Sequence, residues 1–132
     1  MSVVVDASVI VKWVLKEDDS DRANALRHED RLLAPSLIFA EVCNALWKSV
    51  MRGTVPAHEA LAAARPVFYP LEIVPDESLH LRALALAAEM NHPVYDCFYL
   101  ALAEREGATL VSADKRLLAA AKKAKGIKVR AL

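Results

Sequence analysis

The chain has 132 residues, 55% of them hydrophobic and 26% charged, which is enough apolar material for one folded domain. Its 17 basic and 17 acidic side chains cancel, so a nucleic acid or a membrane surface would have to be met by a local patch, not a global basic field. The N-terminus lacks a basic region followed by a long apolar stretch, and no apolar run approaches the roughly 20 residues that span a bilayer, so we expect a cytoplasmic protein.

The first predicted element is a short strand that ends in an aspartate. Val3–Val5 is a run of β-branched residues typical of a strand buried on both faces in a parallel sheet. Asp6 follows it, and the carboxyl edge of an open parallel sheet is where ligands and catalytic groups collect. Asp6 is therefore a candidate site residue, although it could instead serve only as a cap of the helix predicted over Ser8–Val14.

Strand and helix signals alternate through the rest of the chain. Ser36 is predicted to cap the longest helix, and Gly53 and Gly107 stand where helix-ending glycines belong. Further helices are predicted over Arg22–His28, Leu37–Arg52, Ala57–Ala64, Asp76–Met90, Asp96–Glu106 and Lys115–Lys125. Further strands are predicted over Arg31–Ala34, Leu71–Val74, Thr109–Ser112 and Ile127–Val129. Strands separated by helices predict an α/β fold, a three-layer sandwich around a parallel sheet, as a single domain over residues 1–132.

Three further acids stand at positions comparable to that of Asp6. Glu41 lies within PSLIFAEVCNAL on the longest predicted helix, and Asp96 begins the apolar helix of PVYDCFYLALA. Asp114 follows a strand as Asp6 does, with the hydroxyl residue Ser112 two positions before it. Taken singly, each has a purely structural interpretation, since Asp96 and Asp114 could be helix caps and Glu41 a solvated helix residue.

No other catalytic set competes with these acids. The four histidines, His92 among them, lie in polar or loop contexts without metal-ligand spacing, and the chain has no Gly-rich phosphate loop and no nucleophile elbow. Cys43 and Cys97 are isolated in apolar surroundings, and we expect both to be free, buried thiols. Four carboxylates at one crevice would repel each other unless a cation neutralised them, and oxygen-only clusters suit Mg²⁺ or Mn²⁺ better than zinc.

The chain resembles the PIN-domain proteins of the VapC type, the nuclease half of toxin–antitoxin pairs. The blocks that carry the resemblance span the chain and are VVVDASV, PSLIFAEVCNAL, PVYDCFYLALAE and TLVSADKRL. The acidic positions of the family fall on Asp6, Glu41, Asp96 and Asp114. Hydroxyl residues that assist ligand orientation in the family fall on Ser8 and on Ser112, where the family commonly has threonine.

This resemblance implies a specific fold and a specific activity. The fold would be a five-stranded parallel sheet in the order 3-2-1-4-5, which places the first and fourth strands side by side. The activity would be that of an endoribonuclease toxin using Mg²⁺ or Mn²⁺, with Asp6, Asp96 and Asp114 as metal ligands and Glu41 as a ligand or water-orienting base. The implied partners are RNA, a cognate antitoxin and a second copy of the chain.

Contacts to substrate and partner are predicted from residue spacing. From Glu41 the same helix side continues through Asn44, Lys48 and Arg52, and this lane together with Lys12, Lys115 and Arg116 could hold RNA phosphates. The alternative is ordinary surface charge. Trp13 and Trp47 are expected to line a groove for an antitoxin segment.

Three alternative functions are compared with this one on the residues. A haloacid-dehalogenase-type phosphatase also begins with an apolar strand ending in aspartate, but it needs a second acid where this chain has Ser8. A response-regulator receiver needs an aspartate at the end of its third strand, where this chain has Pro75. A catalytically silent PIN-fold binding module is the third alternative.

Overall fold

Five short parallel strands carry the architecture in the computed structural model, which describes residues 1–29 and 31–132. The strands are β1 (Ser2–Val5), β2 (Arg31–Pro35), β3 (Leu71–Val74), β4 (Thr109–Ser112) and β5 (Lys128–Ala131). They are ordered β3-β2-β1-β4-β5, and every neighbouring pair is parallel. The predicted α/β class and strand order are therefore confirmed.

In the described residues, seven helices connect and cover the strands. They are α1 (Ala7–Val14), α2 (Ser20–Ala25), α3 (Ile38–Met51), α4 (Ala57–Ala63), α5 (His80–Met90), α6 (Val94–Glu106) and α7 (Lys115–Lys123). Single 3₁₀ turns occupy Leu26–His28, Pro66–Phe68 and Asp76–Ser78. The predicted helices lie within a few residues of these bounds, except that the one predicted to start at Asp76 begins as a 3₁₀ turn. In the described part of the chain, no helix combines the length and apolarity needed to cross a bilayer.

The core forms around β1, β4 and α6. Val3, Val4 and Val5 are fully buried, because β1 has neighbours on both edges and helices on both sides. Helix α6 contacts β1, β2 and β4 and is packed by α5, which explains why it is buried almost all round. Gly107 ends α6 in a left-handed conformation with φ of 60°, as predicted from its position.

The strand order reverses between β1 and β4, which both lie in the middle of the sheet. Val5 pairs with Val111, so the carboxyl ends of the two strands reach the same edge. The residues that follow them, Asp6 and Ala113, therefore open onto one crevice, which is the usual ligand position in such sheets.

Two local predictions are wrong. The hydroxyl of Ser36 does not cap α3; it accepts the backbone N–H of Asp76 at 3.0 Å, while Asp76 Oδ1 accepts the N–H of Leu37 at 3.0 Å. The side chain of Asp76, from the turn after β3, therefore caps α3 in place of Ser36. Cys43 is exposed, because α3 turns it away from the sheet, whereas Cys97 is buried as expected.

Candidate active site

Asp6 is held by two serine hydroxyls at the end of β1. Its side chain is buried, with 6% of the residue exposed. Ser8 Oγ donates to Oδ1 at 2.6 Å, and Ser112 Oγ donates to Oδ2 at 2.8 Å. The carboxylate makes no capping hydrogen bond to α1. The interpretation of Asp6 as a helix cap alone is therefore not supported.

The same two serines join the ends of β1 and β4. Ser8 Oγ accepts the N–H of Ala113 at 2.9 Å, and Ser112 Oγ accepts the N–H of Asp114 at 2.9 Å. The two hydroxyl oxygens are 3.3 Å apart. Because each serine bonds both Asp6 and the backbone after β4, the network fixes Asp6 relative to the start of α7.

Asp114 caps α7. Its Oδ1 accepts the N–H of Arg116 at 2.9 Å and that of Leu117 at 3.4 Å. The structural interpretation of Asp114 is thus correct, and it is compatible with a site role because the cap uses only one of the two carboxylate oxygens.

Glu41 lies in the first turn of α3 and is bonded to α6. The hydroxyl of Tyr99, a residue only 1% exposed, donates to Glu41 Oε1 at 2.5 Å. Glu41 is half-buried and therefore differs from the solvated helix residue that was its structural alternative. Tyr99 was not predicted as a site residue, although its position three residues after Asp96 on α6 puts both on one helix face.

Asp96 lies in the first turn of α6 and contacts a histidine. His92 Nε2 is 2.7 Å from Asp96 Oδ2, and the two side chains are 14% and 12% exposed. Arg116 Nε is 3.9 Å from the same oxygen. His92 lacks metal-ligand spacing and was not predicted as a site residue; its separation of four residues from Asp96, which places the two side chains close together, is the signal in the sequence.

The four acids influence one another electrostatically. The pKa of Asp6 is raised to about 6, mainly by burial. The two serine hydrogen bonds lower this pKa, and the nearby carboxylates of Asp114 and Glu41 raise it further. Burial likewise raises the pKa of Glu41; the Tyr99 hydrogen bond opposes the shift, and Asp96 and Asp114 add to it. The two strand ends, α3 and α6 thus bring their acids within Coulombic range.

These carboxylates are held mainly by neutral donors. Among residues 1–29 and 31–132, no lysine or arginine forms an ion pair with Asp6, Glu41 or Asp114, and Asp96 has only the long contact to Arg116. No three histidine, cysteine or carboxylate side chains of this described part form a ready-made metal cluster. The donor set still fits a hard divalent cation, because it offers only oxygen and carries negative charge that a cation would neutralise.

The predicted basic residues are placed unevenly. Arg116 and Lys115 are exposed at the start of α7, and Asn44 is exposed one turn beyond Glu41. Lys48 and Arg52 are exposed farther along α3, with Arg52 about 16 Å from Glu41 at 1.5 Å per residue.

Lys12 differs from the other predicted basic residues. Its Nζ contacts Glu17 at 2.6 Å and Asp19 at 3.0 Å, and its side chain is 11% exposed. Two carboxylates therefore already neutralise this ammonium group.

The two tryptophans lie in different surroundings. Trp13 is partly buried against α2, where its Nε1 donates to the carbonyl of Ala23 at 2.7 Å and Arg27 stacks 4.7 Å above its ring. Trp47 is 57% exposed on α3 and lines a cavity of about 370 Å³ between α3 and α4. Only Trp47 therefore lies in an open apolar groove.

Comparisons with known proteins agree with the fold. The PIN-domain family model matches residues 3–123. Ribonuclease VapC3 of Pyrobaculum aerophilum is 35% identical over 121 residues, covering 89% of this chain and 92% of that protein. Exonuclease VapC9 of the same organism is 32% identical over 119 residues, covering 90% of this chain and 85% of that protein.

A solved structure shows the same fold in a complex. VapBC2 from Rickettsia felis, bound to a DNA fragment from its promoter, superposes with a TM-score of 0.74 at 17% identity, covering 100% of this chain and 99% of that one. The family match over most of the chain, together with relatives above 30% identity, is decisive. The chain belongs to the PIN-domain family, among its VapC proteins.

Proposed function

We propose that this protein is a divalent-metal-dependent endoribonuclease that acts in the cytoplasm as the toxin of a toxin–antitoxin pair. The observation that carries the proposal is the buried Asp6 carboxylate at the β1–β4 edge, which among the described residues is hydrogen-bonded by two serine hydroxyls and lies within Coulombic range of Asp114 and Glu41. The two relatives are named as nucleases, which supports hydrolysis of a phosphodiester.

The acids divide into proposed ligands and a proposed base. Asp6, Asp96 and Asp114 would hold Mg²⁺ or Mn²⁺, which when bound supplies positive charge for the developing charge on the phosphate oxygens. Ser8 and Ser112 orient Asp6 through the hydrogen bonds described above. These roles are supported by the ends of β1 and β4, which bring Asp6 and Asp114 to the same edge of the sheet.

Glu41 is suited to orient the attacking water. Tyr99 occupies Oε1, which leaves Oε2 to accept a hydrogen bond from water. The raised pKa of Glu41, due first to burial, makes it a better proton acceptor than an exposed glutamate. In hydrolysis the water oxygen would form a bond to phosphorus, Glu41 would take the water proton, and the bond to the leaving oxygen would break, with that oxygen taking a proton from solvent.

Phosphate contacts are assigned to the exposed cations nearest the acids. Arg116 lies beside Asp96, and Lys115 precedes it at the start of α7. Lys48 and Arg52 would contact RNA farther from the scissile bond, along α3. Lys12 is left out, since Glu17 and Asp19 already neutralise it.

The antitoxin is proposed to bind along α3. Exposed residues recur on this helix at steps of four, which places them on one face: Phe39, Cys43, Trp47 and Met51. The face continues into cavities against α4 that are lined by Leu61 and Ala64. An apolar stripe of this kind fits an amphipathic segment with a few buried anchors.

Cleavage of a closed circular RNA tests the proposed activity. A circle has no ends, so a product can arise only from an endonuclease. We expect the parent to cut it with Mn²⁺ or Mg²⁺ and to be inactive in EDTA. Asp6→Asn and Asp96→Asn should each lower the rate by about 100-fold or more, because an amide is a poor ligand for a hard cation.

The control variant and the contrary outcomes are equally specific. Asp18→Asn changes an exposed carboxylate away from the site and should leave the rate unchanged. Full activity of Asp96→Asn would remove that residue from the site. RNA binding without cleavage would identify a silent binding module, and hydrolysis of p-nitrophenyl phosphate without RNA cleavage would identify a phosphatase.

A further inference from the structure

Each of the four acids is held by its own hydrogen-bond donors, and one of these donors has no assigned role. Two serines hold Asp6, Tyr99 holds Glu41, and backbone N–H groups hold Asp114. The remaining donor is His92, which bonds Asp96. The serine hydroxyls and the backbone amides lie at or after the ends of β1 and β4, and Tyr99 lies on α6, whereas His92 comes from the loop before α6.

The position of His92 is fixed by the backbone on both sides. Asn91 adopts a left-handed conformation, with φ of 49°, at the end of α5. The N–H of His92 then donates to the carbonyl of Ala87 at 3.1 Å. Pro93 follows and begins α6, so that the loop between the two helices is only three residues long. The backbone of His92 is therefore held in place independently of the contact between its ring and Asp96.

The contact uses one defined oxygen of Asp96. An ionised carboxylate only accepts hydrogen bonds, so Nε2 of His92 carries the hydrogen that is donated to Oδ2 at 2.7 Å. Arg116, at 3.9 Å, is beyond hydrogen-bond distance, and its side chain is 70% exposed. Within the described residues Oδ1 has no hydrogen-bond partner, so it is the oxygen available to a cation.

From this arrangement we infer that His92 is a positioning residue for the metal centre: it binds Asp96 Oδ2 and holds Oδ1 in the orientation that a divalent cation requires. This inference rests on the proposed function. Hydrogen bonds that orient ligating carboxylates contribute strongly to metal sites, and their removal typically weakens metal affinity about 10–100-fold. A merely structural link between the loop and α6 would instead affect stability without affecting metal affinity.

The test is the affinity for Mn²⁺ alone, measured on the metal-free protein by electron paramagnetic resonance of the unbound ion. We expect His92→Ala to raise the Kd for Mn²⁺ about 10–100-fold. His92→Gln should lie closer to the parent, because its amide nitrogen can reach the position of Nε2. His92→Asn should resemble His92→Ala, because its shorter side chain cannot reach Oδ2. His58→Ala, which changes an exposed histidine on α4, should match the parent.

The outcomes separate this inference from the proposed function. Suppose that the parent binds Mn²⁺, that Asp96→Asn does not, and that the Kd of His92→Ala stays within threefold of the parent. The positioning role of His92 is then overturned, while the metal site stands. If the parent binds no Mn²⁺, the positioning role and the proposed metal site both fail. Should His92→Ala not fold, the comparison of His92→Asn with His92→Gln decides, and equal affinities at the parent value would overturn the role.

Discussion

Asp6 carries an electrostatic cost that the folded chain does not offset with a positive side chain. The residue is 6% exposed, and its partners are the neutral hydroxyls of Ser8 and Ser112. Buried carboxylates are normally paired with cations or protonated. In the described residues, Asp6 has no lysine or arginine partner. A buried carboxylate without such a partner is suited to bind a cation.

Replacing Asp6 by asparagine should stabilise the metal-free protein at neutral pH. The pKa of Asp6 rises from 3.8 to about 6 on folding. Since a tenfold change in proton affinity equals 1.36 kcal/mol, the ionised group costs the folded state about 3 kcal/mol. This pKa already includes the two serine hydrogen bonds, but an asparagine side chain has one acceptor oxygen instead of two, and the loss of one hydrogen bond costs roughly 1–2 kcal/mol. We therefore expect Asp6→Asn to raise the free energy of unfolding by about 1–2 kcal/mol at pH 7.5 in EDTA.

The pH dependence gives the sign of this effect. A carboxyl group whose pKa is higher in the folded chain contributes stability that is fully present below its unfolded pKa, near 4, and is lost as the pH rises through about 6. The higher free energy of unfolding expected for Asp6→Asn at pH 7.5 should thus disappear by pH 4. Urea unfolding of both proteins at pH 4, 6 and 7.5 measures it. A parent more stable than the variant at pH 7.5 would contradict the uncompensated charge.

Ser112 should be more sensitive to loss of its hydroxyl than to an added methyl group. Its Oγ donates to Asp6 and accepts the N–H of Asp114, and the side chain is fully buried. Ser112→Ala leaves that N–H without its partner, at a cost of about 1–3 kcal/mol. Ser112→Thr keeps the hydroxyl and should lose less, as judged by urea unfolding. Equal losses for both variants would show that packing, not the hydrogen bonds, matters here.

At the scale of elements, the start of α3 depends on a residue 40 positions away. Ser36 and Asp76 exchange hydrogen bonds that tie the N-terminus of α3 to the turn after β3. Glu41 lies in the first turn of that helix, so its position depends on this link. The sequence predicted a local Ser36 cap because capping rules describe only nearby residues, whereas the observed cap arises from the parallel pairing of β2 with β3.

Ser36→Ala and Asp76→Ala should each lower the free energy of unfolding by about 1 kcal/mol. Because both hydrogen bonds belong to one reciprocal pair, the double variant should lose less than the sum of the single ones. Glu77→Ala changes the exposed neighbour and serves as the control. Strict additivity in urea unfolding would mean that the two hydrogen bonds act independently.

A substitution in the exposed apolar stripe on α3 should weaken antitoxin binding without changing RNA cleavage. Trp47 is 57% exposed and lies beside the cavity between α3 and α4. Trp47→Ala should weaken binding of the antitoxin by about 2 kcal/mol or more, as buried aromatic anchors do, with RNA cleavage unchanged. Leu84→Ala, which removes an equally exposed apolar side chain from α5, should leave binding unchanged. Unaltered antitoxin affinity of Trp47→Ala in calorimetry would place the partner elsewhere.

Over the whole molecule, the alternation of strands and helices and three of the acids that follow or precede them are visible in the sequence. Asp6, Asp96 and Asp114 stand at element boundaries, where local patterns are most informative. The hydrogen-bond partners Tyr99 and His92 were missed, because they depend on how α6 lies against α3 and on the loop that begins it. The strand order came from family resemblance, since periodicity alone does not say which strands are neighbours.

Metal binding should appear as stability of the entire fold. A ligand that binds only the folded state stabilises it by RT ln(1 + [L]/Kd), about 2.7 kcal/mol at a hundredfold excess over Kd. Millimolar Mn²⁺ or Mg²⁺ should therefore raise the Tm of the metal-free parent, and Asp6→Asn should reduce the increase. Differential scanning calorimetry with and without Mn²⁺ measures both.

Asp114 provides the comparison that separates a ligand from a helix cap. It caps α7, so Asp114→Ala should lower the Tm even without metal, by an amount corresponding to about 1 kcal/mol. Asp6 makes no capping bond, so Asp6→Asn should not lower the Tm without metal, and only its response to Mn²⁺ should fall. Without metal, Asp114→Ala should lower the Tm and Asp6→Asn should not. With metal, both variants should show a smaller increase in Tm than the parent. A parent whose Tm does not respond to either cation would refute a metal site formed by these four acids.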